Sequence, residues 1–216
     1  VAVTGVQTCA LPILGPYNSA VGVQTLPLYQ KAGLVPIRLT SNSSTNGMGY
    51  TLQPMDYEIA PAASEGLTKW LKAKSVAIIY DSTQNYTEQI AQDIKADLEK
   101  AGVTVPVYEA ITPGASSYTA QVQKAAAAKP DVIYAATYFP EGGLIAKEMF
   151  DSKVPARCVA DYASDDPGFI TTAGTAAAAA CSVVGVPAPG DFPNGPAFVE
   201  QYTRKFNSAP GTWSPY

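Results

Sequence analysis

Four stretches of the chain concentrate side chains that donate, accept or carry charge: TSNSSTNG from Thr40, DSTQNY from Asp81, TYFPEGG from Thr137 and DYASDDPG from Asp161. Asn, Ser, Thr and Gly make turns and helix caps, which accounts for any one such stretch taken alone. Four together supply hydroxyls, amides, carboxylates and tyrosine rings in the density that binds a polar solute. The chemistry open to them is narrow. Histidine is absent from all 216 residues, which removes the commonest general base, the Ser-His-Asp and Cys-His arrangements and every imidazole metal site. Cys9, Cys158 and Cys181 have no C-x-x-C spacing, so zinc and iron–sulfur sites are not expected. G-x-S-x-G, G-x-G-x-x-G and G-x-x-x-x-G-K-[ST] are all missing. These residues point to recognition without catalysis and without a cofactor. The chain has 13 tyrosines, of which Tyr29, Tyr57, Tyr108 and Tyr202 fall in helices or away from strand ends and are read as packing residues.

The elements that must position these stretches follow from the apolar period, which switches repeatedly between short continuous runs and helical spacing. Val76–Tyr80 reads as a strand buried on both faces. The helix that follows, Thr87 to Lys100, carries Ile90, Ala91, Ile94 and Leu98 on one stripe, with Gly102 past its end. The unit repeats as strand 103–110, helix 118–128, strand 131–136, helix 141–151, strand 157–161 and helix 167–180. In the last of these the alanine run 176–180 is read as a packed helix end. Strand 182–186, the Pro/Gly loop PAPGDFPNGP and an amphipathic helix 196–206 close the chain. Upstream, helix 19–32, strand 34–39 and helix 59–73 form the first crossover. The pattern predicts an α/β fold with parallel sheets flanked by helices. In such sheets ligands bind beyond the carboxyl ends of the strands, where the four polar stretches lie, while the returns AGV, AKP and SKV are short and bland.

Composition agrees with a packed domain: hydrophobic residues make up 47% and charged residues 15%. A formal charge of −4 offers no basic face for phosphates, so nucleic acid is not expected as a partner. Residues 1–13 have neither helical nor strand period and resemble a translated adapter or assembly scar. They are expected to lie outside the fold, with few contacts to the rest. The end at Thr212–Tyr216 has no cap or polar tail and reads as a truncation.

The runs LGPYNSAVGVQTLPLYQKAGLVPIRLTSNSSTNG, VAIIYDSTQNYTEQIAQDIKADLEKAG and TPGASSYTAQVQKAAAAKPDVIYAATYFPEGGLIAKEMF, continued by DYASDDPGFITTAG and VGVPAP, resemble the solute-binding component of ABC transporters for branched-chain amino acids, with the type I periplasmic-binding fold. The resemblance is collinear over residues 14–216. It implies two lobes joined by hinge strands and closing over an amino acid, no enzymatic activity, a periplasmic or extracellular membrane-associated location and delivery of the solute to a membrane permease. It also implies domains at 14–60 (remainder of the first lobe), 61–186 (second lobe) and 187–216 (a truncated return toward the first), with the opening of the first lobe missing. The other reading kept open is a ligand-sensing receptor domain of the same fold.

A buried zwitterion needs both charges paired. Ser19, closing G-P-Y-N-S at a helix N-terminus, matches the family's carboxylate-binding serine. In the next loop Thr40 and Asn42 match, with Thr45 in reserve. Tyr86 matches the tyrosine of D-x-x-x-Y-G, although one extra residue precedes it and Thr87 replaces the glycine. Tyr138 matches the aromatic of G-Y-x-P-E, and Glu141 is then expected to cap its helix. Asp161 is the candidate for the ammonium. Asp165 and Asp166 are alternatives, with an N-cap role before Pro167 set against them. Cys158 and Cys181 open successive strand candidates 23 positions apart, and parallel neighbours place such starts side by side. In an oxidising periplasm a disulfide is expected there, with two buried free thiols as the alternative.

Overall fold

A computed structural model describes residues 12–215. Two sheets organise it, and every strand pairing in both is parallel. The smaller sheet runs in the order β1 (Pro12–Leu14), β2 (Val35–Arg38), β3 (Tyr50–Thr51), with helix α1 (Ser19–Lys31) crossing from β1 to β2. Helix α2 (Asp56–Glu65) follows and continues into one wider π turn at Gly66–Trp70.

The larger sheet has the order β5-β4-β6-β7-β8, where β4 is Val76–Asp81, β5 Tyr108–Ile111, β6 Val132–Ala136, β7 Arg157–Ala160 and β8 Cys181–Val183. Helices α3 (Asn85–Lys100), α4 (Thr119–Ala127), α5 (Phe139–Asp151), α6 (Pro167–Ala173) and α7 (Thr175–Ala179) connect these strands, and α8 (Gly195–Phe206) follows. Strand periodicity divides the core into two layers. Val76 and Ile78 of β4, with Val132 and Tyr134 of β6, pack with Ile59, Leu67 and the α3 stripe. Ala77, Ile79, Ile133 and Ala135 point the other way, onto Val122, Ile145 and Met149. This two-sided burial sets the strand ends in a fixed row, and the polar loops leave from it.

Several boundaries differ from those the sequence predicts. Pro12 and Ile13, expected to lie outside the fold, form most of β1 and pair with Val35 and Pro36. A three-residue edge strand is too short to show a period. The rest of the segment suspected as an artefact, residues 1–11, lies outside the described residues. The strand expected over 103–110 is regular only from Tyr108. Thr104 makes one isolated bridge to Ser75, and Pro106 between them has no N–H for the ladder. The helix expected over 167–180 is broken at Gly174, whose φ of 80° lies where a side chain is strained. Cys158 and Cys181 stand opposite each other in the β7–β8 register and form a disulfide with Cα atoms 4.6 Å apart.

Candidate functional site

Ser19 is the first residue of α1 and is buried. Asn18 caps the helix, its Oδ1 accepting from the backbone N–H groups of Ala20 at 2.9 Å and Val21 at 3.4 Å. The helix end expected to offer free donors is therefore largely satisfied by its own cap. Gly22, one turn along, makes the approach of α1 to the next loop possible, since a Cβ there would come within 2.8 Å of Thr40 Cγ2. That approach lets Asn42 N–H donate to Ser19 Oγ at 3.2 Å.

The loop after β2 is an enclosed polar network. Arg38 Nη1 donates to Thr40 O at 2.7 Å and Thr40 Oγ1 at 2.8 Å, and Thr40 Oγ1 meets Thr45 Oγ1 at 2.8 Å. Asn42 Oδ1 caps a short turn at Ser43–Thr45 by accepting from Ser44 N–H at 3.0 Å. Its Nδ2 donates to Asp56 Oδ2 and to Asn85 O, each at 3.1 Å. Asp56 Oδ2 also accepts from Ser43 N–H at 2.8 Å. Thr40, Asn42 and Thr45 thus shape the loop from within.

Between the two sheets lies a narrow cavity. Ser19, Leu39, Ser41 and Gln53 form one wall, with Tyr17 beside them; Tyr86, Tyr138, Tyr162 and Ala163 form the other, and Trp213 closes an edge. Trp213 meets Tyr162 edge-on at 4.7 Å and Tyr17 at 6.4 Å. Asn18 Nδ2 donates across the gap to Tyr138 OH at 3.1 Å, and the Asn42–Asn85 bond spans it a second time. The space left is about 20 Å³, room for roughly one water. Burial pushes the phenols of Tyr86 and Tyr138 upward. That of Tyr17 is pushed up to about 12, first by burial and then by Asp166 and Asp165. All three remain protonated near neutrality and present O–H groups.

Of the residues singled out from sequence, Ser19, Tyr86 and Tyr138 reach this cavity, while Thr40, Asn42 and Asp161 stand one layer behind it. Asp161 is fully buried. Its Oδ1 accepts from Tyr134 OH at 2.6 Å and its Oδ2 from Ala163 N–H at 3.1 Å, so it caps the turn whose residues Tyr162 and Ala163 form the wall. Burial raises its carboxyl above the ordinary range, against the hydrogen bonds from Tyr134 and Ala163 that lower it. Asp166 caps α6 through Gly168 N–H at 2.7 Å, and Asp165 accepts from Val186 N–H at 3.1 Å. Glu141 begins no capping contact of its own helix and instead accepts from Gly114 N–H at 3.3 Å. The disulfide lies toward the opposite end of β7, away from the cavity.

Sequence reasoning missed Tyr17, Leu39, Ser41, Gln53, Tyr162, Ala163 and Trp213. Ser41, Tyr162 and Ala163 belong to stretches already marked as polar, and Tyr17 precedes the Asn18 cap, but Gln53 and Trp213 come from outside the strand-end loops and carry no local signal. Among the described residues no cluster of His, Cys, Asp or Glu could hold a metal ion, and no helix is long and apolar enough to cross a membrane.

The profile of the family described as periplasmic binding protein matches residues 10–216. An amino acid binding protein of Pseudomonas aeruginosa is 28% identical over 174 residues, covering 78% of this chain and 46% of that protein. The Leu/Ile/Val-binding protein BraC3 of Rhizobium johnstonii is 31% identical over 144 residues, covering 64% and 39%. The chain thus spans about half the length of these relatives or less. Among solved structures, the leucine binding protein LivK of Thermotoga maritima superposes with a TM-score of 0.80 at 22% identity, over 98% of this chain and 61% of that one. LivJ of Streptococcus pneumoniae, solved with isoleucine, gives 0.80 at 19%, over 94% and 59%. With its parallel sheets, its flanking helices and its cavity at the strand ends, the chain has the type I periplasmic-binding fold and belongs to the periplasmic binding protein family.

Proposed function

We propose that this chain carries most of the closing cleft of an extracytoplasmic solute-binding protein, which takes up a branched-chain or similar amino acid and hands it, unchanged, to a membrane ABC permease. The observation that carries the reading is the cavity between the two sheets, walled by hydroxyls, one amide and the aromatic rings of Tyr17, Tyr86, Tyr138, Tyr162 and Trp213. The ligands named for the relatives, leucine, isoleucine and valine, support the solute class. Ser19 receives the carboxylate, Tyr86 and Tyr138 enclose the side chain, and Thr40 and Asn42 hold the loop between them. Asp161, buried behind Tyr162 and Ala163, offsets the charge of the ammonium. Protonated phenols and the lack of histidine favour binding over turnover. The disulfide suits an oxidising compartment.

A cavity of about 20 Å³ admits an amino acid only after the two sheets separate. Separation breaks the Asn18–Tyr138 and Asn42–Asn85 bonds. A solute that touches both walls favours the closed state by its differential contacts with it. The test is calorimetric titration of the full-length protein with leucine, isoleucine and valine. One saturable site is expected, weakened by Ser19→Ala by about 1–3 kcal/mol. Absence of heat with all three solutes would refute the amino-acid reading.

A further inference from the structure

Gln53 follows β3 in the bend before α2 and is 6% exposed. Its backbone N–H donates to Thr51 Oγ1 at 3.2 Å, which pins the bend. Its side-chain Oε1 accepts from Ser41 Oγ at 3.1 Å, which fixes the plane of the amide. Its Nε2 is enclosed and has no hydrogen-bond partner among the described residues, and Gln53 forms part of the cavity wall on the Ser19 side. An enclosed amide donor without an acceptor is unfavourable unless something arrives to take its hydrogen bond.

Several donors near that wall are already engaged. In the first turn of α1 the N–H groups of Ala20 and Val21 are engaged by Asn18, and the Ser41 hydroxyl is engaged by Gln53 itself. Ser19 Oγ accepts from Asn42 N–H and keeps its own proton to give. On this wall the Ser19 hydroxyl and the Gln53 amide are therefore side-chain donors open to a solute, with the Tyr17 phenol beside them. We infer that Gln53 is a ligand-contacting specificity residue, its Nε2 donating to a carboxylate oxygen of the solute beside Ser19, so that the site distinguishes a free carboxylate from a neutral carboxamide.

This rests on the amino-acid reading of the cleft, and the experiment separates the two. Leucine and leucinamide are titrated into the full-length protein and into Gln53→Leu and Gln53→Glu, with thermal melting as the check on folding. Gln53→Leu is expected to weaken leucine roughly ten- to hundredfold and leucinamide less. Gln53→Glu sets a carboxylate against a carboxylate, so leucine weakens further and the preference for it over leucinamide shrinks or inverts. A merely structural role would weaken both ligands equally and leave their ratio unchanged, which would overturn the inference, as would unchanged leucine affinity in both variants. Should Gln53→Glu fail to melt cooperatively, Gln53→Asn, which keeps the amide but withdraws it by one methylene, must still lower the leucine-to-leucinamide ratio. If the unchanged protein binds no leucine, the amino-acid reading falls and this contact with it.

Discussion

In the larger sheet, β4 and β6 have strands on either side and helices on both faces, and Val76, Ile78, Val132 and Ile133 are fully buried. In the smaller sheet Leu14 is 80% exposed and Tyr50 71%, and around it, besides Leu26 and Met55, the enclosed groups include the polar Arg38, Thr40, Asn42, Thr45 and Asp56. One wall of the cleft is held by apolar packing and the other by hydrogen bonds among side chains that have left water. The difference matters for a binding protein. Packing is non-directional and tolerates small shifts, whereas a buried polar network keeps its geometry only while every member is paired.

The contrast breaks most sharply at Ile78. Ile78→Ala should cost about 2–5 kcal/mol through lost burial and a residual cavity, while Leu14→Ala should stay within about 0.5 kcal/mol. Equal urea midpoints for the two variants would contradict the division of labour. A smaller effect is expected in the polar wall, where Asp56→Ala leaves Asn42 Nδ2 and Ser43 N–H without their carboxylate. Losing hydrogen bonds to a charged group predicts about 1.5–3 kcal/mol. Hydrogen exchange should accelerate at Ser43 while β4 and β6 remain protected; uniform acceleration would count against a locally held loop.

The smallest effect concerns pH. Because burial holds the Asp161 carboxyl above its ordinary value of 3.8, the folded state takes up that proton earlier than the unfolded chain as pH falls. This contribution therefore makes the protein more stable on acidification from neutrality, with the gain complete below 3.8, and less stable as pH rises through the folded-state pKa. Asp161→Asn should flatten the profile over that window. An unaltered slope between neutral and mildly acidic pH would show that Asp161 is not the group responsible.

The larger sheet was legible because strands buried on both faces are written as continuous apolar runs, as in Val76–Tyr80, and its helices carry an apolar stripe. The smaller sheet was half hidden. β1 and β3 are edges of three residues and two residues, below the length at which a period exists. At the site, sequence located the loops but not the aim of their side chains. Thr40 and Asn42 turn inward because Arg38 and Asp56, distant in the chain or outside the loop, offer them partners. Asp161 turns inward because Tyr134, 27 positions away, donates to it. Gln53 and Trp213 were invisible for the opposite reason, since their place on the cavity wall depends wholly on how separate segments come together.

The Cys158–Cys181 bond encloses the segment that carries Asp161, Tyr162, Ala163 and the break at Gly174. A protease that cuts this stretch, for example beside the exposed Ile170, therefore produces two peptides but not two molecules. β8 remains covalently tied to β7, and the tail bearing Trp213 stays tethered beside the cavity it closes. On a gel such a nicked chain runs as a single species until a reductant is added, so an intact band under oxidising conditions does not certify an intact backbone at the cleft.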